Sequence, residues 1–153
     1  FEVFDYLDRL FCDHSGTIWA TSTEKVYRFH DDVRRFREAR VHTRDSTERY
    51  GALFHLPDGS LWLTAQSGFY RWDNRQQAFV PGRNPFPVQA PIGTRVFASF
   101  QNTVFFLKND SLYACHTASG RLTGLPNKAI RLVHPVSETR VLVSTWNIDA
   151  WWY

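Results

Sequence analysis

The sequence has no methionine, only two cysteines, and no apolar run near the ~18 residues that a membrane-spanning helix needs. Each shortage excludes something. Cys12 and Cys115 are too few and too far apart for a disulfide framework or a Cys-based metal site, and they read as two buried, inert thiols. Without a long apolar run, no segment is expected to insert directly into a membrane. No positively charged start leads into an apolar stretch, so no signal peptide is visible. The missing methionine points to a mature product or a piece excised from a larger chain.

Charge of one sign is also scarce. Lys and Arg number 18 against 15 Asp and Glu, a net charge of +3. The densest basic cluster, Arg34, Arg35, Arg37 and Arg40, is interleaved with Glu38 and preceded by Asp31 and Asp32. That mixture describes a solvated surface and not a nucleic-acid footprint. No nucleic-acid partner is expected. The nucleophile elbow, phosphate-binding loop, paired-histidine zinc motif and C-x-x-C are all missing. His14, His30, His42, His55, His116 and His134 lack ligand spacing, so neither a metal nor a cofactor is expected. Asp13-His14-Ser15 superficially resembles a catalytic triad. Triads, however, are assembled from residues distant in sequence, and this one reads as a turn.

What is abundant is aromatic and apolar residues, 16% and 43% of the 153 residues, which excludes a disordered chain. Such a length suits one compact domain of about 100–150 residues. The aromatics recur. Gly16, Trp19, Thr21, Tyr27 and Phe36 reappear 43 residues later as Gly59, Trp62, Thr64, Tyr70 and Phe79. A third copy keeps the step with Phe105, Tyr113 and Leu122, and a shortened fourth begins near Ile130. Within each unit the pattern is β: short runs such as Leu61-Trp62-Leu63 and Phe69-Tyr70-Arg71-Trp72, separated by turn formers such as Pro57-Asp58-Gly59 and Asp73-Asn74. No window shows a helical period, and residues 32–40 read as strand and loop.

Four short antiparallel strands per ~40–45 residues predict an all-β fold of β-propeller blades. The boundaries expected are 1–9 for the end of a preceding blade or crossing, 10–52 for blade 1, 53–95 for blade 2, 96–129 for blade 3 and 130–153 for a partial blade 4. The length holds about 3.6 units, whereas closed propellers have about four to eight blades. The chain is therefore expected to be part of a larger ring, its open faces covered by the rest of its own propeller or by a second copy. The matched Trp and Phe residues are expected to pack blade on blade.

Asp13, Gly16, Ile18, Trp19 and Ser22, followed by Tyr27-Arg28-Phe29, resemble the two-component regulator propeller repeat. Asp58-Gly59-Ser60-Leu61-Trp62-Leu63-Thr64 with Tyr70-Arg71-Trp72-Asp73 resembles it more closely. The third copy departs, with Phe105 for the Trp. Its stretch 112–120 is similar to repeats of quinoprotein-type propellers. The resemblance implies a periplasmic or extracytoplasmic sensor of a bacterial hybrid two-component system, often oligosaccharide-responsive, coupled through a membrane span to a histidine kinase. For this chain it implies binding and no enzyme activity. The alternatives are a propeller scaffold for protein contacts, or a glycosidase- or quinoprotein-like remnant. In glycosidase propellers an acidic box precedes the Trp; here the acid comes one place early at Asp13 and one late at Asp58. Such a reading would need an acid/base pair, such as Asp31 with Glu48, but nothing in the sequence fixes two carboxylates about 5–9 Å apart across a ring.

A ligand site is expected where loops converge on the axis. From the loops between second and third strands the candidates are Glu24, Gln66, Lys108 and Trp146. From the crossings into innermost strands they are Arg49 and Arg95. Trp suits sugar faces and Arg suits anionic groups.

Overall fold

The computed structural model describes residues 7–56, 58–86, 95–100, 103–108, 111–125, 130–137, 140–145 and 150–152. All regular structure among them is strand. Sheet 1 runs in the order β1 (Arg9–Cys12), β2 (Ile18–Thr21), β3 (Val26–His30), β4 (Arg35–Glu38). After the two-residue β5 (Arg40–Val41), sheet 2 is built from β6 (Tyr50–His55), β7 (Leu61–Ala65), β8 (Gly68–Asp73) and β9 (Ala78–Gly82). These strands form one compact unit, Phe1–Arg83. In the second unit, Asn84–Tyr153, sheet 3 holds β10 (Arg95–Phe100), β11 (Thr103–Lys108), β12 (Ser111–His116) and β13 (Leu122–Leu125). Sheet 4 there holds β14 (Ile130–Ser137), β15 (Arg140–Thr145) and β16 (Ala150–Trp152). Division into two units suits a repeat architecture, in which each element packs mainly on its sequence neighbours.

The pairing ladders carry the 43-residue step. Ala20 opposes Tyr27, Leu63 opposes Tyr70, and Phe106 opposes Tyr113. Phe29 opposes Phe36, Trp72 opposes Phe79, and Cys115 opposes Leu122. The turns repeat as well. Arg34 and Gln77, 43 apart in the β3–β4 and β8–β9 hairpins, both take positive φ, 48° and 50°. Residues 32–40 are turn and strand, as their pattern predicts.

Alternation along a strand sends successive side chains to opposite faces. One face of sheet 1 therefore carries Trp19 and Val26, and it packs on the Leu53, Leu61, Leu63, Tyr70 and Phe79 face of sheet 2. Trp19 meets Trp72 and Phe79 at ring-centroid distances of 4.9 and 5.6 Å, and Trp72 meets Phe79 at 5.1 Å. Such edge-on pairs each add about 0.5–1.5 kcal/mol beyond burial. The other face of sheet 1 is uncovered at its Leu10 and Ile18 part, whereas Ala20 and Tyr27 on the same face are buried. Leu10 and Ile18 are 68% and 41% exposed, whereas Leu53 and Leu61, 43 residues on, are 8% and 6%. Cys12 lies beside Ile18 on that face and is exposed, contrary to its sequence reading. Cys115 is buried, and burial pushes its thiol pKa up.

One element has no counterpart in the four-strand pattern. After β4, Ala39 N–H still donates to Val26 O at 2.7 Å. The chain then steps across, and β5 pairs in parallel with β9 on the outer edge of sheet 2, where His42 N–H donates to Phe79 O at 2.8 Å. Sheet 2 is thereby five-stranded, and its outer edge is tied to sheet 1.

Candidate functional site

In the first unit, loops gather at both ends of the strands. At one end lie the β2–β3 loop, the crossing into β6 and the β7–β8 turn. Tyr50 N–H donates to Thr23 O at 2.8 Å, and Gln66 N–H donates to Arg49 O at 2.9 Å. These bonds bring the loops bearing Glu24, Arg49 and Gln66 onto one rim, with all three residues exposed. In the second unit, Arg95 opens β10 opposite Leu107, so its backbone adjoins that of Lys108. Trp146 lies outside the described residues.

The residue that organises the first rim is Glu48, which the sequence reading cast only as an acid/base partner for Asp31. Its carboxylate is buried and accepts from Ser67 N–H at 3.0 Å, from the Ser67 hydroxyl, and from the Tyr70 hydroxyl at 3.0 Å. Burial raises its pKa, but the bonds from Ser67 and Tyr70 outweigh it and hold the group below the usual glutamate range. Tyr50 beside it is pushed up to about 12, first by burial and then by Tyr70, Glu48 and Glu38. In the repeat step Glu48 has an acid one copy earlier, Asp5, and Pro91 one copy later, a signal too weak to single it out. Asp31 sits at the far end of β3, roughly 16 Å of strand away. The two cannot act as a glycosidase pair.

At the opposite end, the β1–β2 turn of sheet 1 meets the β6–β7 and β8–β9 turns of sheet 2 around a cavity of about 400 Å³. Asp13 Oδ1 accepts from Ser15 N–H (2.9 Å), Ser15 Oγ (2.6 Å) and Thr17 N–H (2.9 Å), and Oδ2 accepts from Trp19 Nε1 (2.8 Å). Burial alone would raise its pKa; the bonds from Ser15, Trp19 and Thr17 together keep it low. Asp58 bonds Ser60 N–H at 2.9 Å and the Ser60 hydroxyl, and that hydroxyl accepts from Trp62 Nε1 at 2.8 Å. The Ser60 bonds lower the Asp58 pKa. Both turns thus anchor an indole N–H, directly in one copy and through a serine in the other. This explains how the acid stands at different offsets from Trp19 and Trp62. Asp13-His14-Ser15 is a turn, as read.

Across the cavity, the Arg28 guanidinium lies 5.5 Å from the Trp19 ring centroid and 5.8 Å from that of Trp72, and Nη1 donates to Gln77 Oε1 at 2.8 Å. Trp72 Nε1 donates to Asn74 Oδ1 at 2.8 Å. The His14 and His55 rings meet edge-on at 4.1 Å. Burial, and then His14, lowers the His55 pKa. The only sequence signal for this arrangement is that Tyr-Arg recurs as Tyr27-Arg28 and Tyr70-Arg71 in the repeat step. Among the described residues no group of three or more metal-binding side chains forms. Among them no helix is long and apolar enough to cross a membrane.

No family model matches the sequence, and no curated protein matches it. Solved structures do. The extracellular domain of a proposed hybrid two-component system from B. thetaiotaomicron superposes with a TM-score of 0.67 at 18% identity, covering 96% of this chain and 20% of that one. Virginiamycin B lyase from Staphylococcus aureus gives 0.56 at 15% identity, covering 96% and 55%. Puromycin hydrolase gives 0.54 at 19% identity, covering 90% and 25%. The chain spans between about a fifth and just over half of these structures. At such identities the likeness concerns the fold, and it agrees with the ladders: an all-β chain of propeller-type antiparallel blades.

Proposed function

We propose that the chain is part of an extracytoplasmic, ligand-sensing β-propeller of a bacterial two-component signalling protein, and that it responds to oligosaccharides. The observation that carries this reading is the second repeat copy. Its Asp58–Thr64 and Tyr70–Asp73 motif residues are built as a blade whose fold is like that of an extracellular two-component domain. The rim bearing Glu24, Arg49 and Gln66 is its ligand-facing side, with Lys108, Trp146 and Arg95 supplying the corresponding positions of later blades. The open Leu10 and Ile18 face is where the rest of the ring, or a second copy, stacks. In this reading the chain binds its ligand and does not turn it over; Asp31 and Glu48 stand too far apart for the acid/base pair of a glycosidase.

A thermal-shift screen with oligosaccharides tests the reading, since a ligand at 100 times its Kd stabilises by about 2.7 kcal/mol. A raised melting temperature with at least one oligosaccharide is expected; no shift with any of them removes the ligand-sensing half. A second reading, a propeller enzyme, is favoured by the fold likeness to virginiamycin B lyase and puromycin hydrolase. Turnover of chromogenic glycosides would promote its glycosidase form.

A further inference from the structure

We propose that the cavity between the β1–β2 turn of sheet 1 and the turns of sheet 2 binds the carboxylate-bearing ring of an acidic sugar, a hexuronate, through Arg28, His14 and Asn74. This rests on the saccharide reading above and deepens it by naming a second site and a sugar class. The volume, about 400 Å³, falls in the range of about 300–1,000 Å³ found for small-molecule sites.

The charge preference follows from which polar groups are already engaged. Asp13 uses both oxygens on Ser15, Thr17 and Trp19, and Asn74 Oδ1 is taken by Trp72. The Ser60 hydroxyl gives its proton to Asp58 and its lone pair to Trp62. What remains is one spare carboxylate oxygen, Asp58 Oδ2, against several donors: the Asn74 amide N–H groups, the exposed His14 ring, Arg71, and the Arg28 N–H groups that Gln77 does not hold. A lining richer in spare donors than in spare acceptors favours an anionic, acceptor-rich ligand. Arg28 is also preorganised. Two indoles and Gln77 fix its plane, so a bidentate carboxylate contact costs little further ordering. Asp58 Oδ2, also in the lining and beside Arg71, is left to accept from sugar hydroxyls.

The experiment is a titration of the 153-residue chain with glucuronate, glucose, acetate and inorganic phosphate, followed by calorimetry and by the indole N–H resonance of Trp72. Glucuronate is expected to bind and to move that resonance, with glucose, acetate and phosphate each at least about tenfold weaker. Arg28→Lys keeps the charge but loses the fork, and should weaken glucuronate about tenfold. Because Arg28 also braces two indoles, His14→Ala on the exposed turn is the second variant. It should weaken binding with the chain still folded, while Arg44→Ala, outside the cavity, should change nothing.

Equal binding of acetate or phosphate would overturn the proposal, leaving a bare anion site. So would equal binding of glucose, or glucuronate affinity untouched by both Arg28→Lys and His14→Ala. A neutral oligosaccharide that raises the melting temperature while glucuronate does not bind would sink this site and leave the sensor reading standing. Failure of every saccharide would sink both.

Discussion

Asp13 shows how one side chain can serve a whole turn. It satisfies two backbone N–H groups, a hydroxyl and the indole N–H of Trp19, which is 1% exposed. Replacing it with alanine strands a buried donor, and urea denaturation should show a loss of about 1–3 kcal/mol. The carboxylates also set an acid limit. Asp13, Glu48 and Asp58 all titrate below their ordinary values. Their stabilisation is complete above the unfolded carboxylate range, about pH 4, and is lost as pH falls through the folded values. His55 acts in a higher window. Its imidazole is held below the usual value of about 6.5, so folding favours the neutral form, and that stability fades as pH drops below about 6.5. Melting temperature should therefore fall between pH 7.5 and 5.5, and His55→Phe should remove that part of the fall. At this scale the matched aromatics were legible, because packing needs the same bulk in every copy. Glu48 was not, since its bonds to Ser67 and Tyr70 join residues 19 and 22 positions apart, which no local pattern marks.

Elements were the most legible level. Turn formers at fixed spacing and β-branched or aromatic runs between them mark the hairpins, and the ladders reproduce the 43-residue step residue for residue. The two-residue β5 escaped because Arg40–Val41 carries no pattern of its own; it exists only where the sheet 2 edge offers partners. Close approach is likewise invisible in one dimension. A Cβ on Gly82 would stand 2.5 Å from Trp62 Cζ3, so Gly82→Ala should cost about 1–3 kcal/mol in chemical denaturation through overpacking. The opposite change is available in the β3–β4 hairpin. Arg34 holds a left-handed φ of 48°, and Arg34→Gly should raise stability by up to about 1 kcal/mol, the relieved strain being partly offset by glycine's entropy.

At the scale of the molecule, thin sheets become stable by stacking. Blade character could be read from the sequence, whereas the covering of each face could not, because it depends on neighbours. The central claim is that Leu10 and Leu53, equivalent and one step apart, differ by whether a neighbouring sheet stacks on them: the first is 68% exposed and the second 8%. Denaturation of Leu10→Asp and Leu53→Asp in the 153-residue chain tests the claim most directly. The account predicts a change within about 0.5 kcal/mol for Leu10→Asp, and for Leu53→Asp a loss of about 3–5 kcal/mol or failure to fold. Equal losses at the two positions would contradict it.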